Sequence, residues 1–98
     1  MKEYISVADV EISQIRAQGA GGQHVNKVST AVHLRFSIHP SELTEEVKQR
    51  LLKMKDRRIL KSGEIVIKSQ KYRSLEKNIE AGIERLNELI GRAYRKEK

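Results

Sequence analysis

The chain has 98 residues, a formal net charge of +7, 34% charged residues and no cysteine. That length holds one domain with a modest core, burying somewhat over ~60% of its unfolded surface, and the missing cysteines exclude a disulfide framework, a zinc ribbon and thiol chemistry. No apolar run approaches the roughly 20 residues of a membrane span, and the start, Met1-Lys2-Glu3-Tyr4, lacks the apolar stretch of a signal peptide, so the expected location is the cytoplasm, or an organellar matrix in a eukaryote, with no membrane partner.

Taken in order, residues 4–8 read as an extended lead-in with Tyr4, Ile5 and Val7 as anchors. Val10, Ile12 and Ile15 predict a first strand over about 9–17; the spacing slips from two to three at Ile15, which marks a bulge or a strand end near Gln14. A glycine-rich loop takes about 18–28. The second strand, about 30–38, has the cleanest period-two pattern, with Val32, Leu34, Phe36 and Ile38 on one face and His33, Arg35 and Ser37 on the other. Pro40 breaks it. Thr44 is a suitable N-cap, Glu45 and Glu46 complement the helix dipole, and Val47, Leu51 and Met54 set a helix over about 44–57. Lys61-Ser62-Gly63 is turn chemistry. A short buried strand follows over 64–68, then Ser74 caps a final helix, 74–95, whose stripe of Leu75, Ile79, Ile83, Leu86, Ile90 and Ala93 faces the sheet. The last residues, Arg92 to Lys98, are expected to fray.

The order is therefore β-β-α-β-α. The first two strands are expected to pair antiparallel with the glycine loop at one end. The second and third are joined through a helix, and such a crossover usually makes a right-handed parallel pair. The expectation is a small single α+β domain with a three-stranded mixed sheet and both helices on one face.

The excess of Lys and Arg points to an anionic partner, most often nucleic acid. Tyr4, Phe36, Tyr72 and Tyr94 are the only aromatic residues, too few for base stacking, so phosphate and shape contacts fit better than base readout. Chemistry concentrates in Arg16-Ala17-Gln18-Gly19-Ala20-Gly21-Gly22-Gln23-His24-Val25-Asn26-Lys27-Val28-Ser29-Thr30, where three of the six glycines fall within four positions. Glycine takes φ > 0 freely but costs entropy to order, so this clustering shapes a loop or admits a close approach to the backbone. The stretch is not a Walker A loop, since no Gly-Lys-Ser/Thr follows, nor a dinucleotide fingerprint, since the third glycine is missing and a strand comes next. An ordinary flexible surface loop is the plain alternative.

Conventional catalytic groups are poorly represented. No carboxylate lies in the loop, and His24, His33 and His39 are not at metal-ligand spacing, so neither metal nor cofactor is expected. His24 reads as a conformational or phosphate contact rather than a general base. What the loop can offer is main-chain N–H groups freed by Gly21 and Gly22, aimed at charge developing on an acyl or leaving oxygen. One such donor contributes on the order of 10²–10³ in rate where water is excluded.

The segment Arg16 to Asn26, with Thr30-Ala31-Val32 behind it, resembles the signature of class I peptide-chain release factors, in which Gly21-Gly22-Gln23 is the GGQ motif. The resemblance extends over nearly the whole chain, including Val66-Ile67-Lys68 and Tyr72-Arg73-Ser74, and is greatest to the small codon-independent branch, the YaeJ type (alternative ribosome-rescue factor B) with its mitochondrial relatives. It implies a small α+β catalytic domain whose loop enters the peptidyl-transferase centre of the ribosome. There the Gln23 N–H would assist hydrolysis of the ester joining peptide to tRNA, while its side chain admits and sizes the water. Gly21, Gly22 and Gln23 then hold the catalytic positions, and the implied partners are ribosomal RNA and peptidyl-tRNA. Arg16, His24 and Lys27 are candidate RNA contacts; Asn26, Ser29 and Thr30 shape the loop base through side-chain to backbone bonds; Lys68 and Arg73 are RNA-facing by the same resemblance.

Two departures matter. At this length the stop-codon-reading domains of full release factors are not expected, and the sequence stops at Lys98, ahead of the long basic tail usual in the rescue branch. The readings left open are codon-independent peptidyl-tRNA hydrolysis on the ribosome, a non-catalytic ribosome- or RNA-binding module with an inert GGQ, and hydrolysis of free peptidyl-tRNA. A monomer is the expected state, because no apolar surface stripe is left over.

Overall fold

Alternation between Val32 and Ser37 becomes the central strand of the sheet. In the structure of the chain, a computed structural model that describes residues 3–15 and 31–95, β2 (Val32–Ser37) buries Val32, Leu34 and Phe36 and leaves His33 and Arg35 in solvent. The pleat requires this, because successive side chains leave a strand on opposite faces. The first strand, β1 (Glu11–Gln14), pairs antiparallel with β2 from Glu11↔Arg35 to Gln14↔Val32. It ends where the apolar spacing slips. The Ile15 N–H still donates to the Ala31 carbonyl at 2.9 Å, the last described rung before residues 16–30. All four β1 residues are exposed, which fits a short polar edge strand. A 3-10 turn at Val7–Asp9, absent from the sequence reading, leads into β1; the Asp9 carboxylate accepts from the Ser6 N–H at 2.8 Å.

The third strand, β3 (Glu64–Ser69), corrects the expected mixed sheet. It runs antiparallel to β2, from Ser37↔Glu64 to Val32↔Ser69, so the sheet is wholly antiparallel in the order β1-β2-β3. The right-handed crossover rule applies when the chain returns to the opposite end of the sheet. Here the excursion leaves and re-enters at one end: Ile38 donates to the Gly63 carbonyl at 2.9 Å. Segment 58–60 lies along the far edge of β3, with Ile59 bridged to Ile65 and Val66 donating to Arg58 at 2.9 Å. Lys61-Ser62-Gly63 then reverses the chain. Gly63 has φ 94, and a Cβ there would meet His39 Cδ2 at 2.9 Å, so this tight reversal needs glycine. Ile59-Leu60 and Ile65-Val66 flank that turn as apolar pairs, a hairpin pattern not used in the sequence reading.

The helix α1 (Glu45–Lys53) begins as expected: Thr44 Oγ1 accepts from the Val47 N–H at 3.3 Å, and Val47 and Leu51 are buried. It stops four residues early, because Met54 turns extended (ψ 145) and the chain leaves to lay Ile59 on β3. The second helix, α2 (Leu75–Tyr94), is capped by Ser74 Oγ, which accepts from the Lys77 N–H at 3.2 Å. Its buried Leu86, Leu89, Ile90 and Ala93 join Leu34, Phe36, Ile65, Ile67, Val47 and Leu51 in one core. Each such Leu or Ile contributes roughly 1.5–3 kcal/mol by leaving water. Gly82 lets α2 approach the sheet closely, since a Cβ there would lie 2.6 Å from Leu34 Cδ1. Leu75, expected in the stripe, is 37% exposed at the first residue of α2, and Leu89 takes a core place instead. The expected order β-β-α-β-α and the α+β class hold. No described helix is long and apolar enough to cross a membrane.

Candidate nucleic-acid interface

Gly21, Gly22 and Gln23, together with Arg16, His24, Asn26, Lys27, Ser29 and Thr30, lie outside the described residues. What the fold defines is the place from which they are carried. The segment 16–30 joins β1 to β2, and its roots Ile15 and Ala31 are bonded to each other. Gln14, Val32 and Ser69 stand level across the three strands. The chain therefore leaves β3 for α2 at the same end of the sheet at which segment 16–30 is rooted. Sequence spacing could not show this, because Ala31 and Ser69 are far apart in the chain.

Lys68 and Arg73, the two predicted contact residues that are described, belong to that end. Lys68 is exposed on the open face of β3, across from His33. Its carbonyl accepts from Arg85 Nη1 at 3.0 Å. Arg73 is exposed on the connection between β3 and α2, as is Lys71, which the sequence reading did not single out. The Lys71 ammonium lies 5.5 Å from the centre of the Tyr72 ring, within the range of a cation–π contact. Below the connection sits Asn78, fully buried. Its Oδ1 accepts from the Tyr72 N–H at 2.8 Å and its Nδ2 donates to the Tyr72 carbonyl at 2.9 Å. The only sequence signal for Asn78 was its position on the core-facing side of α2.

Three ion pairs form among the described residues: Arg35 pairs with Glu64 at 3.7 Å, Arg50 pairs with Glu46, and Arg58 pairs with Asp56 at 2.8 Å. Lys68, Lys71 and Arg73, like most described cations, pair with no described carboxylate. The Asp56–Arg58 pair is bidentate: Arg58 Nε and Nη2 donate to the two carboxylate oxygens at 2.9 and 2.8 Å. These bonds hold the Asp56 carboxyl at about 2, below its usual 3.8, against the upward push of burial, and the Arg58 guanidinium is raised in turn. A cleft of about 720 Å³ between residues 3–7 and α2 is rimmed by Glu3, Glu80 and Glu84. Its three carboxylates outnumber the one cation in its lining, Lys77, and disfavour an anionic ligand there. Among the described residues, no group of three His, Cys, Asp or Glu could hold a metal ion.

The arrangement is that of a small α+β domain: a glycine-rich connection rooted at one end of a three-stranded sheet, with Lys71 and Arg73 exposed on the neighbouring connection to α2. Residues 1–98 match the RF-1 domain throughout, and the chain belongs to that family. It is 53% identical over 91 residues to the Pseudomonas putida protein named peptidyl-tRNA hydrolase ArfB, covering 93% of this chain and 66% of that protein. To the Mus musculus protein named large ribosomal subunit protein mL62 it is 32% identical over 91 residues, 92% of this chain and 44% of that protein. The chain thus spans at most about two thirds of these curated relatives.

Proposed function

We propose that the chain hydrolyses the ester between nascent peptide and tRNA on stalled ribosomes without reading a codon. The observation that carries the reading is the 53% likeness to a protein named as a peptidyl-tRNA hydrolase, in a chain whose Gly21-Gly22-Gln23 falls in the β1–β2 connection. The ester is already activated, and the ribosome and tRNA supply most of the site. Water attacks the carbonyl carbon, the bond to the tRNA ribose oxygen breaks, and that oxygen takes up a proton as the peptide leaves as an acid. The Gln23 main-chain N–H stabilises the charge that develops on oxygen, the type of interaction that strengthens only in the transition state. Gly21 and Gly22 give the backbone its approach, and the Gln23 side chain sizes the water. Arg16, Lys27, Lys68 and Arg73 bind RNA phosphates; His24, Asn26, Ser29 and Thr30 shape and seat the segment. The chain works as a monomer in the cytoplasm, on ribosomal RNA at the peptidyl-transferase centre.

Stalled ribosomes carrying labelled peptidyl-tRNA are the test. Gly22→Ala, which alters the backbone's approach, should lower peptide release by about 10²-fold or more; Gln23→Ala, which keeps the main-chain N–H and loses the side chain that sizes the water, should lower it by a smaller factor, and both should leave thermal unfolding unchanged. Release by both variants at the parent rate refutes the reading. The likeness to a protein named as part of the large ribosomal subunit keeps one competitor in play, a ribosome-binding module with an inert GGQ. It predicts salt-dependent binding with no release by the parent chain. Omitting ribosomes tests hydrolysis of free peptidyl-tRNA, for which little activity is expected.

A further inference from the structure

The turn between β3 and α2 is held in a way that the core does not require. Gln70, Lys71, Tyr72 and Arg73 are all exposed, so fixing them buries little. Yet the fully buried Asn78 amide spends both its donor and its acceptor on the main chain of Tyr72, at 2.9 and 2.8 Å. An apolar side chain at that position would pack without needing partners, whereas a buried amide is tolerated only when it is hydrogen-bonded. The second buried asparagine of α2 makes the contrast plain. Asn87 bonds the main chain of Tyr4 and Ile5, and Ile5 is a core residue, 6% exposed. Asn87 anchors a core residue, whereas the two main-chain partners of Asn78 at Tyr72 are both on an exposed, cationic turn.

We propose that Asn78 is a positioning residue for RNA: it clamps Tyr72 and so presents Lys71 and Arg73, already ordered, beside the roots of segment 16–30, with Lys71 a further phosphate contact. Three observations converge. The register puts Ser69, one residue before the turn, level with Val32 at the root of the segment. Lys71 is tied to the clamped residue by its contact with the Tyr72 ring. Lys71 and Arg73, like most described cations, pair with no described carboxylate, so their charge is open to phosphate. Ordering a charged turn before binding removes an entropy loss that RNA contact would otherwise incur. The inference takes from the proposed function only the identity of the RNA.

The experiment measures Kd for large ribosomal subunits, and peptide release at saturation, for the parent, Asn78→Ala, Asn87→Ala, Lys71→Ala/Arg73→Ala and the triple variant with Asn78→Ala. Asn78→Ala should raise Kd about fivefold and leave saturating release within about twofold of the parent. Asn87→Ala, which breaks the other clamp on the same helix, should leave Kd unchanged. Removing Lys71 and Arg73 should weaken binding more in the parent than in the Asn78→Ala background, because a cation no longer held in place has less to lose. A parental Kd for Asn78→Ala, an equal rise for Asn87→Ala, or full additivity overturns the proposal. Should Asn78→Ala not fold, Asn78→Asp keeps the acceptor for the Tyr72 N–H but not the donor; a raised Kd supports the proposal and a parental Kd overturns it. A parent that binds subunits but releases no peptide would refute the hydrolase reading, while the Kd comparison still decides this one.

Discussion

Replacing Asn87 with alanine removes the bolt that fastens the start of the chain to its last helix. Asn87 is 4% exposed, and its Oδ1 accepts from the N–H groups of Tyr4 at 2.6 Å and Ile5 at 3.0 Å. Its Nδ2 donates to the Ile5 and Ile83 carbonyls, each at 3.2 Å. The Ile83 carbonyl belongs to the helix itself, so the bonds at stake are the three to Tyr4 and Ile5. At about 1 kcal/mol each they come to roughly 3 kcal/mol. Alanine returns about 0.5 kcal/mol through its helix propensity. The remaining loss of about 2–3 kcal/mol also loosens the Ile5 side chain and the stack of Tyr4 on Tyr94, whose rings lie 4.5 Å apart at 10°. For a chain of this length, that lowers Tm by about 10–20 °C. Urea unfolding at unchanged m-value measures the loss, and hydrogen exchange at the Ile5 amide locates it. A change below about 0.5 kcal/mol, with the Ile5 amide still protected, would refute the clamp.

Gly63→Ala should destabilise by about 1–2 kcal/mol, since an alanine must hold φ 94; His39, being exposed, can swing away from the new Cβ, so backbone strain sets the size. Urea unfolding checks it. Among the described residues, the buried Ser69 hydroxyl has no hydrogen-bond partner. Ser69→Ala should therefore raise stability by about 1 kcal/mol, read from the same curves. The Asp56 carboxyl titrates at about 2 in the fold against 3.8 ordinarily, so its ion pair with Arg58 supports the fold above the unfolded value, and that support is lost as pH falls from about 4 through 2. The contribution is about 1 kcal/mol once screening of the partly exposed pair is allowed for. Asp56→Asn should flatten the acid limb of a stability–pH profile by that amount.

Elements whose signals are local were legible in the sequence. The period-two run from Val32, the Thr44 and Ser74 caps and the Lys61-Ser62-Gly63 turn all appear where their residues place them. Expectations that relied on a general tendency fared worse. The parallel pairing of β2 with β3 rested on how helical crossovers usually run, and the turn at Gly63 turned the chain the other way. Leu75 was assigned to the core by spacing alone, but a helix's first turn packs only if the neighbouring layer extends that far. Asn78 and Asn87 were passed over because a buried amide looks in sequence like a solvated one; only its partners, six residues or some eighty residues away, tell them apart.

Sequence by itself determined the order β-β-α-β-α, the helix caps and the GGQ segment between the first two strands, because each depends on the chemistry of residues a few positions apart. Tertiary structure alone decided that β3 runs antiparallel, that Asn78 grips Tyr72, and that Lys68, Lys71 and Arg73 stand at the end of the sheet from which segment 16–30 departs. Those facts arise from contacts between distant residues, and such contacts exist only once the core has closed around them.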